Sequence, residues 1–277
     1  MRYARPQTLP DALALLAAGK ARLLAGGTDL YPATQAQDLS GDVVDLTAIP
    51  HLSGITHTAQ GLRIGAATTW SEIAETTLPP ALHALQQAAR QVGGRQIQNA
   101  GTLGGNLCNA SPAADGVPPL LTLDAELHLA APTGTRHLPL RDFLLGPRRT
   151  ALADAELLTH IQIPAPALHG TSRFLKLGAR AHLVISITMV AARLVLDGDR
   201  IATACLAVGA CGPVATRLPD LETRLAGLTP DQAARTITED ALTPALAPID
   251  DIRATAAYRR SAAAELLRRA VQECAAC

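Results

Sequence analysis

Aromatic side chains are scarce in this sequence, with two Phe, three Tyr and one Trp among 277 residues. So few ring faces exclude a base-stacking platform for single-stranded nucleic acid. Net charge is absent as well: Lys+Arg (24) equals Asp+Glu (24), so no global field draws in nucleic acid or an anionic membrane. No run reaches ~18 uninterrupted apolar residues, and no membrane span is expected. The opening MRYARPQTLPDAL lacks the charged-then-apolar-then-small pattern of a secretory signal. The five cysteines are an odd number, for which free thiols in a cytoplasmic protein are the simplest reading. Neither GxGxxG nor a glycine followed by Lys-Ser/Thr occurs, which disfavours a Rossmann nucleotide site and an NTPase. Eight histidines, from His51 to His182, show no HxH or HExxH spacing. Cys274-Ala-Ala-Cys277 has the spacing of a ligand pair but no suitable second pair, so no metal site is expected.

What the chain does have is apolar bulk and two glycine-rich turns. Hydrophobic residues make up 48%, enough for a globular fold, and the length favours two or more lobes over one core. The first turn is Gly26-Gly27-Thr28-Asp29, directly after the strand-like Arg22–Ala25. The second, from Gly93 to Leu123, holds Gly93, Gly94, Gly101, Gly104 and Gly105, then Asn106, Asn109, Ser111 and Asp115. Dense glycine lets another molecule approach the main chain, and successive amide N–H groups can form a concave nest for an anion. The alternatives are a plain tight turn for GGTD and a surface loop for the longer stretch. The second turn, however, lies between two strongly apolar segments.

The remaining pattern is α+β. Thr8-Leu9-Pro10-Asp11 has capping-box spacing before a short helix, and Val43–Leu46 reads as a strand, giving a small β-α-β-like unit. Arg63–Ala66, Glu126–Ala130 and Leu157–Ile163 read as strands, and Thr69-Trp70-Ser71-Glu72 opens a helix. Beyond Pro164, Phe174–Lys176, Ile185–Leu196 and Ile201–Val208 predict a three-stranded antiparallel sheet, with Asp197-Gly198 as a hairpin turn. Helical runs follow at Leu218–Leu228, Pro230–Asp240 and Thr255–Cys274. The expected partition is two α+β subdomains, 1–55 and 56–168, and a sheet-and-helix subdomain, 169–277.

The segments Arg22–Leu30 (RLLAGGTDL) and Thr102–Asp115 (TLGGNLCNASPAAD) together resemble the FAD-binding medium subunit of molybdenum hydroxylases. That is the xanthine dehydrogenase and carbon monoxide dehydrogenase group, with a vanillyl-alcohol-oxidase-type FAD fold. IGAATTWSEI (Ile64–Ile73), GPRRTALADAELL (Gly146–Leu158), FLKLGAR (Phe174–Arg180) and DIRATAAYRR (Asp251–Arg260) extend the resemblance over nearly the whole chain. It implies FAD as cofactor. Ala25, Gly26, Gly27, Thr28 and Asp29 would hold its diphosphate, flanked by Arg22, Leu24 and Leu30. Thr102, Gly104, Gly105 and Asn106 would close on diphosphate and ribityl, with Gly93, Gly101 and Leu157 nearby. Asn109 and Asp115 would bond polar groups of the cofactor, and Lys176 would approach the flavin end. No catalytic side chain is implied.

The resemblance further implies two partners, a molybdopterin-binding large subunit and a small subunit with [2Fe–2S] clusters. Electrons would pass through FAD to NAD⁺, oxygen or another acceptor. The alternatives are a stand-alone flavin oxidase of the same fold and a scaffold subunit without cofactor.

Overall fold

A computed structural model describes residues 2–19, 21–34, 41–180 and 183–276. His182 and Cys277, named above, lie outside them. Near the N-terminus three parallel strands stand in the order Tyr3–Ala4, Asp42–Asp45, Ala21–Leu24. Thr8 caps the helix Leu9–Ala17 by accepting from the Asp11 N–H at 3.3 Å, as its spacing predicts. The helix lays Ala12 on Val44, Leu46 and Ile49, and this small core runs on into Leu52, Ala67 and Leu157 of the next sheet. The strand Tyr3–Ala4 has no counterpart in the sequence reading, because two residues show no alternation.

The second sheet is antiparallel, in the order Ile55–Thr58, Gly61–Gly65, Leu157–Pro164, Glu126–Ala131, Gly134–Pro139. Leu62, Ile64, Leu127, Leu129, Ile161 and Ile163 alternate onto one face. There they pack with Trp70, Ile73, Leu85, Leu103, Leu107 and Leu120 from the helices. Each such side chain, fully buried, contributes roughly 1.5–3 kcal/mol. The other face is polar, and pairing brings His160, His128 and His137 side by side across three strands.

The C-terminal sheet has the three long antiparallel strands expected, Thr171–Leu177, Thr188–Asp197 and Arg200–Gly209. A two-residue strand, Thr216–Arg217, extends its edge. Asp197 ends one strand, and Gly198, at φ 60°, makes the turn into the next. The helix Ala256–Ala275, capped by Thr255, covers one face through Ala263, Leu267, Ala270 and Val271. The helix His83–Gln91 covers the other through Ala84 and Ala88 against Phe174, Met189 and Ala191. Polar groups, the buried Arg193 guanidinium among them, fasten this sheet to the rest of the molecule. Arg193 Nε donates to the Thr122 carbonyl at 2.8 Å, and Arg217 Nη1 donates to the Leu121 carbonyl at 2.9 Å and to Asp124 Oδ1 at 2.7 Å. Among the described residues no helix is long and apolar enough to cross a membrane.

Candidate functional site

The two glycine turns, more than 60 positions apart in sequence, both line one cleft of about 400 Å³. The first wall is Leu23–Leu30, and the second is Thr102, Gly104–Asn106, Cys108 and Asn109. Leu46, Leu52, Ala66, Ala67, Trp70, Val92, Leu152, Leu157 and Leu158 make an apolar lining between them.

Local chemistry explains how the walls are held. Thr69 and Glu72 form a reciprocal capping box, with the Thr69 N–H donating to Glu72 Oε2 at 2.7 Å and the Glu72 N–H donating to Thr69 Oγ1 at 3.2 Å. This fixes the start of the helix Trp70–Glu75 and the position of Trp70. The backbone of residues 66–70 then zips to the second wall. The Trp70 N–H donates to the Gly101 carbonyl (3.1 Å), Leu103 N–H to Thr68 (3.0 Å) and Gly104 N–H to Ala66 (2.7 Å). Thr102 caps the short helix Leu103–Asn109 by accepting from the Gly105 N–H at 3.1 Å.

These bonds correct one expectation. The N–H groups of Leu103, Gly104, Gly105 and Asn106 all have protein acceptors, so the second wall offers no open amide nest. On the first wall, among the described residues, the N–H groups of Gly26, Gly27, Thr28 and Asp29 meet no protein acceptor. An anion is therefore best served by the first wall alone.

The glycines divide by purpose. A Cβ on Gly26 would stand 1.9 Å from the Ala100 carbonyl oxygen, and one on Gly104 would stand 2.6 Å from that of Ala66. Both are glycine so that backbones can touch. At Gly105, which is helical, a Cβ would meet among the described residues only Thr102 Oγ1, at 2.9 Å. Its missing side chain leaves the cleft open.

The second wall contributes a side chain instead. Asn106 Oδ1 is buried and, among the described residues, has no hydrogen-bond partner, while its residue lines the cleft. An orphaned buried acceptor costs roughly 1–3 kcal/mol, and a hydroxyl or N–H of a bound molecule would relieve it.

Of the residues singled out in the sequence, Leu24, Ala25, Gly26, Gly27, Thr28, Asp29, Leu30, Thr102, Gly104, Gly105, Asn106, Asn109 and Leu157 line the cleft. Arg22, Gly93, Gly101, Asp115 and Lys176 do not. Arg22 is exposed on its strand, and Gly101 backs the first wall, where a Cβ would lie 3.2 Å from Thr28 Oγ1. Gly93, at φ 56°, packs on Ile97. Asp115 and Lys176 are engaged with each other: Lys176 Nζ donates to Asp115 Oδ2 at 2.8 Å, and Ser186 Oγ donates to Oδ1 at 3.3 Å. Burial pushes the Asp115 carboxyl up, against the opposing pull of Lys176 and Ser186. The lining residues that sequence reasoning missed, such as Val92 and Leu152, are apolar and look like any core position. Trp70 alone had a signal, being the single Trp and standing inside a capping box.

A family model described as the FAD binding domain in molybdopterin dehydrogenase matches residues 1–166. This chain belongs to that family. A second model, the CO dehydrogenase flavoprotein C-terminal domain, matches residues 173–274. The nicotine 6-hydroxylase medium subunit of Paenarthrobacter nicotinovorans is 31% identical over 282 positions, covering 100% of this chain and 98% of that one. The putative xanthine dehydrogenase FAD-binding subunit of Escherichia coli is 37% identical over 225 residues, 79% of this chain and 77% of that one. Among solved structures, reconstituted CO dehydrogenase from Oligotropha carboxidovorans superposes with a TM-score of 0.90 at 30% identity, covering 100% and 98% of the two chains. The protein is an FAD-binding medium subunit of a molybdenum hydroxylase-type dehydrogenase, an oxidoreductase component. The open amides, the exposed surface at Gly105 and the orphaned Asn106 oxygen suit that cofactor.

Proposed function

We propose that this subunit is an electron carrier within a heteromeric complex. It takes electrons from the [2Fe–2S] clusters of a small partner and passes them to NAD⁺, oxygen or another acceptor, while a molybdopterin-bearing large partner oxidises the substrate. The observation that carries this reading is the chemistry of the cleft walls. Among the described lining residues only Asp29 and Cys108 are titratable, and the Asp29 carboxylate is paired with Arg148 at 3.0 Å. Among the described residues no histidine, glutamate or lysine lines the cleft to take a proton from an organic substrate. FAD, when bound, supplies the redox chemistry, and the protein supplies binding and orientation.

In this reading the N–H groups of residues 26–29 bind the diphosphate, and Asn106 Oδ1 accepts from a cofactor hydroxyl. Gly105 leaves room for the cofactor chain. Leu157, Leu158 and Trp70 exclude water from the apolar side. The two FAD-binding subdomains meet near residue 55 and give way to the C-terminal subdomain near residue 168. A cytoplasmic location accords with a chain carrying several free thiols.

Purification from the native host tests the assembly: an iron–sulfur chain and a molybdopterin chain should accompany this one. Stopped-flow reduction of bound flavin tests the role. The isolated, FAD-loaded subunit should not be reduced by purines, aldehydes or N-heterocycles, whereas the assembled complex should be reduced by its substrate. Rapid flavin reduction by an organic substrate in the isolated subunit would overturn the carrier assignment and favour a stand-alone oxidase.

A further inference from the structure

Outside the cleft, the turn Gly146-Pro147-Arg148-Arg149 closes a small hairpin in which Gly146 pairs with Arg149. Arg148 follows the turn proline with φ 57°. Left-handed backbone after such a proline is the place of glycine or asparagine, which reach it at little cost. A long side chain there is strained, and strain of this kind persists only when the surrounding structure holds it. The hold is visible. The Arg148 N–H donates to the Ala110 carbonyl at 2.9 Å, and Ala110 is itself left-handed, at φ 46°. Two non-glycine residues in unfavourable backbone thus brace one another beside the cleft.

The arrangement delivers the Arg148 guanidinium to a point between the two walls. Its Nη1 donates to Asp29 Oδ2 at 3.0 Å, to the Asn109 carbonyl at 3.4 Å, and to Asn109 Oδ1. Arg148 does not line the cleft itself. Asp29, however, belongs to the loop whose open N–H groups suit an anion. A free carboxylate there would oppose a diphosphate, and the ion pair with Arg148 cancels that charge where it matters.

We propose that Arg148 is a positioning residue for the cofactor: it neutralises Asp29, turns that carboxylate toward Asn109, and leaves the first-wall amides free for the FAD diphosphate. This rests on the FAD reading and adds to it a residue that does not itself contact the cleft.

Arg148→Gly separates the function from the fold, because glycine relieves the backbone at φ 57° while deleting the guanidinium. The apo variant should melt no lower than the parent. Its FAD affinity, followed by flavin fluorescence quenching, should fall on the order of fivefold, the scale of one exposed ion pair. The deficit should shrink as salt is raised, since screening weakens the exposed repulsion. Adding Asp29→Asn to Arg148→Gly should restore most of the lost affinity, because the charge that needed masking is gone. Parental affinity in Arg148→Gly would overturn the proposal, and so would a double variant that stays as weak as the single one. If the parent chain itself took up no FAD, the reading beneath the proposal would fail with it.

Discussion

Lys176 and Asp115 meet at 2.8 Å with both side chains at most one-tenth exposed, joining the C-terminal sheet to the segment that follows the second cleft wall. Such a pair is far costlier to break than to have, because one partner removed leaves an uncompensated buried charge. Lys176→Met should therefore lower stability by roughly 3–5 kcal/mol in urea unfolding at neutral pH. Asp115→Asn in the same chain should recover much of the loss. The sign with pH is also set. Burial already raises the Asp115 carboxyl, and without Lys176 it rises further. A carboxyl whose folded pKa lies above its unfolded value gains stability by binding a proton, a gain complete below the unfolded pKa and lost as pH rises through the folded one. The Lys176→Met deficit should accordingly shrink as pH is lowered. A variant within 1 kcal/mol of the parent would show that the pair contributes little.

Neighbouring glycines of the second wall should respond in opposite ways. Gly104→Ala places a methyl 2.6 Å from the Ala66 carbonyl oxygen and should destabilise the fold by roughly 1–3 kcal/mol, as overpacking does. Gly105→Val sets its Cβ 2.9 Å from the Thr102 hydroxyl, with no other close atom among the described residues, so the chain should still fold, at a cost of about 1 kcal/mol, the scale of a strained helix cap. FAD affinity should nonetheless drop about tenfold or more, equivalent to ~1.4 kcal/mol. Melting curves and flavin content per chain separate the two outcomes. Full flavin content in Gly105→Val would exclude this surface from the cofactor site.

Acid should weaken the protein through its histidine ladder. The rings of His128 and His160 stack at 4.2 Å, and those of His128 and His137 at 5.4 Å. Thr159 Oγ1 donates its one proton to the His128 carbonyl at 2.9 Å, so its 3.0 Å contact with His160 Nδ1 requires the proton on that nitrogen. Burial, then the His128 and Arg63 charges, lowers His160 from 6.5 to about 4. Burial likewise lowers His128, assisted by His137 and Arg63 and opposed by Glu126. His160 binds fewer protons folded than unfolded between about pH 6.5 and 4, and His128 is lowered in the same direction, so stability falls as pH drops through that window. The ring of His160 is partly exposed, which limits its share to about 2 kcal/mol. His160→Gln should flatten the unfolding free energy between pH 7 and pH 5. Parallel curves for parent and variant would remove the ladder as the cause.

Cys274 should behave as core rather than as a ligand. It is buried in the C-terminal cluster, and its Sγ lies 3.5 Å from the Ala192 carbonyl oxygen. Cys274→Ser should cost roughly 1–2 kcal/mol by placing a hydroxyl in an apolar setting, while zinc and iron measured by elemental analysis stay unchanged. Loss of a stoichiometric metal in that variant would reopen the Cys-x-x-Cys reading.

Much of this was legible in the sequence where one residue type has one local purpose. Thr69 with Glu72 and Thr8 with Asp11 announced helix starts, and Asp197-Gly198 announced a hairpin. Two anion nests in one chain suggested a single diphosphate ligand between them, and resemblance made their convergence specific, since nothing in GGTD or TLGGN specifies its distant neighbour. Gly26 and Gly104 were read as ligand-facing, yet only the fold reveals the carbonyls of Ala100 and Ala66 against them. Arg148 was invisible as a functional residue because sequence does not record φ. Val92 and Leu152 were invisible because a cofactor wall and a core use the same side chains.

The zip between residues 66–70 and 101–104 has a consequence for inheritance and for engineering. Its three bonds join peptide groups to peptide groups, which do not depend on the identity of most side chains. Residue types are imposed by Gly104, which must admit the Ala66 carbonyl, by Gly101, where a Cβ would lie 2.9 Å from the Ile97 carbonyl oxygen, and by the caps at Thr69 and Thr102. Ala67 or Leu103 can therefore drift within ordinary limits of volume and polarity while this backbone keeps its shape. A designer could repaint the lining at Ala67 or Val92 to favour an altered flavin, with the backbone itself left as a fixed chassis.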